Sequence, residues 1–294
     1  MNVETWVLAL LASALRLSAP LAIAALGELV AERSGVLNIG IEGMMLAGAF
    51  AAFSIGATTG SVALALIGSG LAGTALAALF ATFVIARRAD PIVTGAALNI
   101  LALGATGSAY RLIFPPHAEL PTAPSVADAA LANPFLWIVA LLLVGVGVFF
   151  GRTRAGLAVR ASGERAEAAY AQGIRVVGIR WACTLFGGAC AGVAGAALVL
   201  WISNTFVEGM TAGRGFIALA LVLFGGYRPV AVLAGALLFG AANAGQFQLQ
   251  AAGLEIPYSL LLMTPYLLTL AVLALFAGRT RSPADLARPF TARS

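Results

Sequence analysis

Long apolar runs, each close to the length of a bilayer crossing, follow one another along almost the whole chain, and most of its arginines sit in the breaks between them. A transmembrane helix needs about 20 consecutive apolar residues. Ser61–Ala86, Ile92–Ile113, Pro134–Phe150, Val177–Ser203, Val230–Phe247 and Tyr258–Ala277 each read as such a span. In hydrocarbon every main-chain N–H and C=O must be paired inside the protein, so spanning runs of this kind are helices. Charged residues make up 10% of the 294 and hydrophobic residues 61%, whereas a soluble domain carries about 25% charge. The expectation is an all-α, polytopic transmembrane helical bundle that uses residues 1–294 as a single domain.

Arginine placement orients the bundle, because segments rich in Lys or Arg stay on the cytoplasmic side. Arg87 and Arg88, the stretch Arg152–Arg180, Arg228, and the tail from residue 278 to 294 are therefore expected to be cytoplasmic. Residues 114–133, rich in proline and free of arginine, read as an external loop; Arg111, just before them, breaks the pattern. Counting back from the basic tail predicts about nine crossings, within a range of about 8–10, and an external N-terminus. Residues 1–16 read as an interfacial helix ending at Arg16, with no removable leader expected, since a basic start and a small-residue cleavage site are missing. Phe216–Gly226 spans only about 17 Å, so it either extends back toward Gly209 or forms a half-helix.

The early part of the chain departs most from a plain span. The segment that begins at Ser18 runs into Glu28, Glu32, Arg33, Asn38 and Glu42, with Gly35, Gly40 and Gly43 among them. An ionisable group at the bilayer centre costs about 2.5–3.5 kcal/mol on insertion scales. Glu28 and Glu32 are expected to pair with Arg33, and the glycines point to a broken or re-entrant element shielded by protein. Asn38 and Glu42 either line a polar passage or satisfy the broken main chain; Asn99, with Thr94 nearby, either faces that passage or bonds between helices. Phe216 and Phe247 either stack on a planar solute or pack in lipid or core.

Several chemistries are excluded. The chain has a single histidine, His117, so a metal site is not expected. Cys183 and Cys190 lie about 10 Å apart along one helix, too far for a disulfide. No paired acid–base carboxylates or nucleophile–base set can be assembled, so the chain reads as a non-enzyme. There is no GxxxxGK[ST] loop, so nucleotide is not bound here in that way, and the net charge of +5 reflects topology rather than nucleic-acid binding.

The longest hydrophilic stretch, GRTRAGLAVRASGERAEAAYAQGIRV from Gly151 to Val176, must lie in water or against another protein, and reads either as an ordinary basic loop or as a segment that enters a groove on a partner. Its centre, Gly163–Gln172, is expected to form one helix of about three turns, slim because of Ala166, Ala168, Ala169 and Ala171. Its pattern resembles the cytoplasmic coupling segment of ABC-importer permeases. Gly27–Leu46 (GELVAERSGVLNIGIEGMML) is similar to a signature of the branched-chain amino acid and simple-sugar permease family, in its nucleoside-type branch, and Thr211–Ala220 with Gly225 and Pro229 is similar to a late block of that family. The resemblance implies a permease subunit of the bacterial inner membrane with a cytoplasmic C-terminus. It implies import of a nucleoside-class solute, purine nucleosides first, with riboflavin, nucleobases or simple sugars as alternatives. Arg160, Gly163, Glu164, Ala168, Ala169 and Gly173 would meet the motor. It further implies a second homologous permease in a heterodimer, a tandem-domain ATPase that binds ATP and Mg so that this chain carries no cofactor, and an extracytoplasmic substrate-binding lipoprotein. The rival of another class is an ion-coupled secondary transporter, for which matching broken repeats would be expected and are not seen.

Overall fold

A computed structural model of the chain describes residues 3–114, 122–126, 133–251 and 281–291, together with Met263 and Leu267. Among the described residues every regular element is helical. They run α1 (Val3–Arg33), α2 (Ile41–Thr59), α3 (Val62–Ala81), α4 (Pro91–Ile113), α5 (Pro134–Arg152), the short α6 (Arg154–Glu164) and α7 (Ala166–Ala171), then α8 (Val176–Ala197), α9 (Arg214–Phe224) and α10 (Pro229–Ala251). α3 and α8 each close in a π-helical turn, Thr82–Ala86 and Leu198–Ser203. Local chemistry sets several starts. Asp90 Oδ1 accepts from the N–H groups of Ile92 and Val93 at 2.8 and 3.0 Å, ahead of Pro91. Asn133 does the same for Phe135 at 2.9 Å ahead of Pro134, and Thr153 for Gly156 at 2.9 Å.

Seven helices among the described residues are long and apolar enough to cross a membrane. The expected total of about nine counted two further segments. One, around Phe216, is the eleven-residue α9, a half-helix of about 17 Å. The other, Tyr258–Ala277, lies outside the described residues except for Met263 and Leu267, as do His117 and Arg279. Two boundaries are corrected. Residues 3–16 are not a separate interfacial helix: α1 continues through Arg16 and Pro20, because the Arg16 guanidinium donates to the carbonyl oxygens of Trp201 and Ile202 and so is satisfied inside the bundle. The span expected over Val230–Phe247 is longer than that, since α10 runs from Pro229 to Ala251.

Van der Waals fit between small residues builds the centre. α8 is the axis: most of its residues from Gly187 to Ala197 are buried, whereas α5 buries only Phe135, Val146 and Phe150. Gly188 and Gly192 of α8 lie against Gly73 and Ser69 of α3; Gly48 of α2 meets the Gly192 main chain, Gly195 meets the Met45 carbonyl, and Gly27 of α1 meets Cys190. Lipid offers no hydrophobic drive between helices, so such close approach is what holds them together. The GxxxG spacing Gly188–Gly192 thus marks a real α3–α8 crossing. Facing away from this core, α4 and α5 expose Ile100, Leu103, Leu112, Trp137, Leu141 and Val144.

The arginine-bearing breaks gather at one end. Arg88, Asp90, Gly35, Val177, Arg180 and Arg288 line one cavity there, and Gly163 abuts the Arg33 carbonyl. At the opposite end Ala123 and Val126 donate to the carbonyls of Asn204 and Leu200 at 2.9 and 2.8 Å.

Gly192→Leu should force α2, α3 and α8 apart and lower stability in detergent by about 1–3 kcal/mol or more, the usual cost of overpacking. Gly145→Ala, where an added methyl meets nothing within 4 Å, should leave it unchanged. Thermal unfolding followed by size-exclusion chromatography measures both.

Candidate functional site

Between α1 and α2 the chain abandons helical bonding over residues 34–40, and these residues are buried apart from the half-buried Leu37 and Ile39. A buried break needs partners for its main chain. Some are local: Ser34, Gly35 and Val36 donate to Ala31, Glu32 and Ala31 at 3.0, 2.9 and 3.2 Å. Others come from side chains that the sequence had singled out. The Asn38 N–H donates to Glu28 Oε1 at 3.1 Å. From α4, Asn99 accepts the Gly43 N–H at 2.8 Å and donates to the Ile39 carbonyl at 3.0 Å. One amide therefore holds both sides of the restart of the helix. Gly95, one turn earlier on α4, packs directly on Ile39 and Gly40.

Glu42, in the first turn of α2, holds a second irregular element. Beyond α8, residues 204–213 run along the bundle with Phe206 and Thr211 turned inward: Phe206 is buried against Phe50, Phe53 and Tyr110, while the exposed Glu208 lies beside Gly107 of α4 and Gly209 beside Leu103. α9 then starts within the bundle, and both Glu42 oxygens accept from its first turn, Gly213 N–H at 2.8 Å and Gly215 N–H at 2.6 Å. A helix N-terminus carries unpaired N–H groups and a partial positive charge, and a carboxylate satisfies both. Gly215 has Glu42 so close that no side chain fits there. Asn99 therefore bonds between helices, from α4 to the break, while Glu42 binds main chain at the start of α9 rather than in the break at Gly35–Gly43.

Arg111 and Glu208, neither with an obvious role from sequence, form a bidentate pair at 2.8 and 2.9 Å. Those hydrogen bonds from Arg111 hold the Glu208 carboxyl below the usual carboxylate range. Thr94 is half-buried on α4, and Phe216 is exposed on the first turn of α9.

The expected ion pair is corrected. Neither Glu28 nor Glu32 bridges to Arg33. Arg33 points away from them, donates to the Tyr227 carbonyl at 2.9 Å and lies 5.5 Å from the centroid of that ring. This contact braces Tyr227, which adopts φ of 60° in the turn after α9. The Tyr227 hydroxyl, pushed above its ordinary range by burial and then by the Glu32 charge, interacts with Glu32. Glu28 and Glu32 are thus buried against polar groups rather than cations; Glu28 Oε2 and Asn38 Oδ1 have no protein partner.

At the arginine-rich end the hydrophilic stretch is two helices rather than one. α6 ends at Glu164, Arg165 breaks the path at φ of −150°, and α7 covers only Ala166–Ala171. The break arises because Gly163 sits against the Arg33 carbonyl while the new N-terminus at Ala166 is bound by the Asp285 carboxylate at 2.8 Å. Arg160 is half-buried; Glu164 and Ala168 face outward, whereas Ala169 faces inward with Ala166 and Val176. Gly173, at φ of +82°, ends α7 as a left-handed residue after the helix should. Asp285 and Tyr227 escaped sequence reasoning because each acts through distant main chain, which leaves no local pattern.

Glu42→Ala should strip two half-buried N–H groups of a charged acceptor and destabilise the fold by about 1.5–3 kcal/mol. Glu42→Gln, keeping one acceptor, should cost less. Limited proteolysis within residues 204–213 and thermal unfolding test this; equal behaviour of the two variants would sink the capping role.

Comparison with known proteins agrees with this architecture. The chain is 39% identical to the putative glucose ABC transporter permease protein TsgC13 of Haloferax volcanii, over 89% of each chain. It is 34% identical to the nucleoside ABC transporter permease protein NupC of Lactococcus lactis over 96% of each. It is 33% identical to the guanosine ABC transporter permease protein NupQ of Bacillus subtilis, over 90% of this chain and 91% of that one. No solved structure matches. The family described as branched-chain amino acid transport system / permease component matches residues 10–274. Spanning helices, a protein-shielded break and that match together mean that the chain belongs to this family and is a multi-pass ABC-type permease.

Proposed function

We propose that this chain is one permease subunit of an ATP-driven importer for nucleoside-class solutes, with purine nucleosides as the first cargo. The observation that carries the mechanism is a physical link. The exposed rod α6–α7 touches the end of α1 through Gly163 and the Arg33 carbonyl, at the point where the buried break begins. A push on the rod by a motor therefore acts where the helical path is already interrupted. In this reading residues 1–294 form one transmembrane domain of the bacterial inner membrane, with the arginine-rich end and the C-terminus cytoplasmic. Arg160, Gly163, Glu164, Ala168, Ala169 and Gly173 belong to the motor-facing region. Asn38, Thr94 and Phe216 belong to the passage, and Glu42 and Asn99 hold its walls in position.

The partners follow from the same reading: a second, homologous permease completing a heterodimer, a tandem-domain ATPase holding ATP and Mg, and an extracytoplasmic substrate-binding lipoprotein. Similarity to a nucleoside permease and a guanosine permease over nine-tenths or more of the chain supports the cargo. A simple sugar is the second reading, because the relative at 39% identity is named as a putative glucose permease. Family membership speaks against an ion-coupled secondary transporter.

The test has two arms. Purification in mild detergent should bring down an ATPase, and uptake of labelled guanosine into proteoliposomes of the whole complex should require ATP. Gly173→Val, which forces a β-branched side chain into a left-handed conformation at a cost of about 1–2 kcal/mol, should reduce that uptake. Uptake of glucose but not guanosine would transfer the assignment to sugars. ATP-independent uptake by this chain alone would overturn the importer reading.

A further inference from the structure

The described tail residues 281–291 are not a loose end; they are stitched into the arginine-rich face at several points. The Asp285 N–H donates to the Gly163 carbonyl at 2.9 Å, and its carboxylate Oδ2 accepts from the Ala166 N–H at 2.8 Å. A single residue thus grips the last turn of α6 and the first of α7, across the break at Arg165. Two residues later, the Ala287 N–H donates to the Gly35 carbonyl at 3.1 Å. Gly35 itself is at φ of +97° and packs against the Asp285 carbonyl and Arg180. Arg180 of α8 then donates to the Arg288 carbonyl at 2.8 Å, and the Phe290 ring lies 5.6 Å from that of Tyr170 on α7.

We infer that residues 281–291 are a transmission strap: they carry displacement of α7 to the buried break at 34–40, with Asp285 as the positioning residue. The inference rests on the reading of α6–α7 as the motor-facing rod and adds a route not assigned to the chain above. α7 is a six-residue helix that buries only Ala166 and Ala169. A helix so short has no stability of its own, so its orientation is whatever its anchors impose. Its N-terminal anchor is the Asp285 carboxylate. Because the same short segment bonds Gly35, α7 cannot shift relative to α1 without either breaking those bonds or moving the loop. Gly163 gives α6 a direct contact with α1; for α7 the strap supplies the equivalent.

The experiment uses the full chain with its ATPase and partner subunits in proteoliposomes. Asp285→Ala should leave assembly and ATP hydrolysis within about twofold of the unmodified complex, while labelled guanosine taken up per ATP (glucose, should the unmodified complex carry that) falls about tenfold. Asp285→Asn, which keeps an acceptor for the Ala166 N–H, should restore most of the yield. Hydrogen exchange should show residues 34–40 less protected in Asp285→Ala and unchanged in Asp285→Asn, with the Leu198–Ser203 turn unaffected in both. Unaltered uptake per ATP in Asp285→Ala overturns the strap; so does joint loss of ATPase assembly in both variants, which would make the tail a docking element instead. Should the unmodified complex recover no ATPase, the importer reading fails separately, and unchanged exchange at 34–40 in Asp285→Ala still overturns the strap.

Discussion

Main chain that leaves helical bonding inside a membrane protein must find hydrogen-bond partners within the protein, and this constraint governs the whole arrangement. Among the described residues the fold breaks regular bonding at the buried residues 34–40 and at the half-buried start of α9, and answers both from one neighbourhood. Asn99 ties the first break to α4, and Glu42, on the helix that the first break releases, ties down the second. The two irregular elements are therefore mutually dependent: without the restart of α2 at Ile41, Glu42 would not reach Gly213 and Gly215. Polar residues in the interior that would burden an ordinary span here replace the bonds that the backbone has lost.

Close packing of small residues makes this possible. α8 must lie near enough to α1, α2 and α3 for the breaks to be sealed from lipid, and Gly188, Gly192 and Gly195 provide that proximity by presenting bare main chain. Rigid contact on one side and a broken, hydrogen-bonded seam on the other give the bundle unequal stiffness. The α2–α3–α8 sector has little room to deform. The seam running from Gly35 through Asn38 to Glu42 is held instead by a few directional hydrogen bonds.

How legible all this was differs by scale. Helical class, the spans, and the clustering of arginine at one end follow from composition and run length, because bilayer thickness and backbone pairing leave few other solutions. The broken element was readable too: glycine and ionisable residues crowded into Gly35–Gly43 have no place in a regular span. Partners were less readable. Arg33 looked like the counter-ion of Glu28 and Glu32, being adjacent on the helix, but it turns instead to the Tyr227 carbonyl nearly two hundred residues away. Arg16 reads as a helix end because residues 1–16 are too short for a span, and its bonds to the distant Trp201 and Ile202 carbonyls, which no local pattern announces, let the helix continue. The hydrophilic stretch Gly151–Val176 reads as one helix at its centre because its alanines favour helix throughout. Its division at Arg165 depends on Asp285, which no local pattern announces.

The strap at residues 281–291 changes what the arginine-rich end means mechanically. If α6 and α7 were one helix, a push at any exposed face would rotate it as a rod about Gly163. With a break at Arg165, α7 would pivot freely and dissipate the push, unless something spans the hinge. Asp285 does so by bonding Gly163 and Ala166 together, and the adjacent bond from Ala287 to Gly35 gives the spanned hinge a second point of support on the buried break. On the strap reading, a displacement of α7 reaches Gly35 through Asp285 and Ala287 instead of being lost at the Arg165 joint.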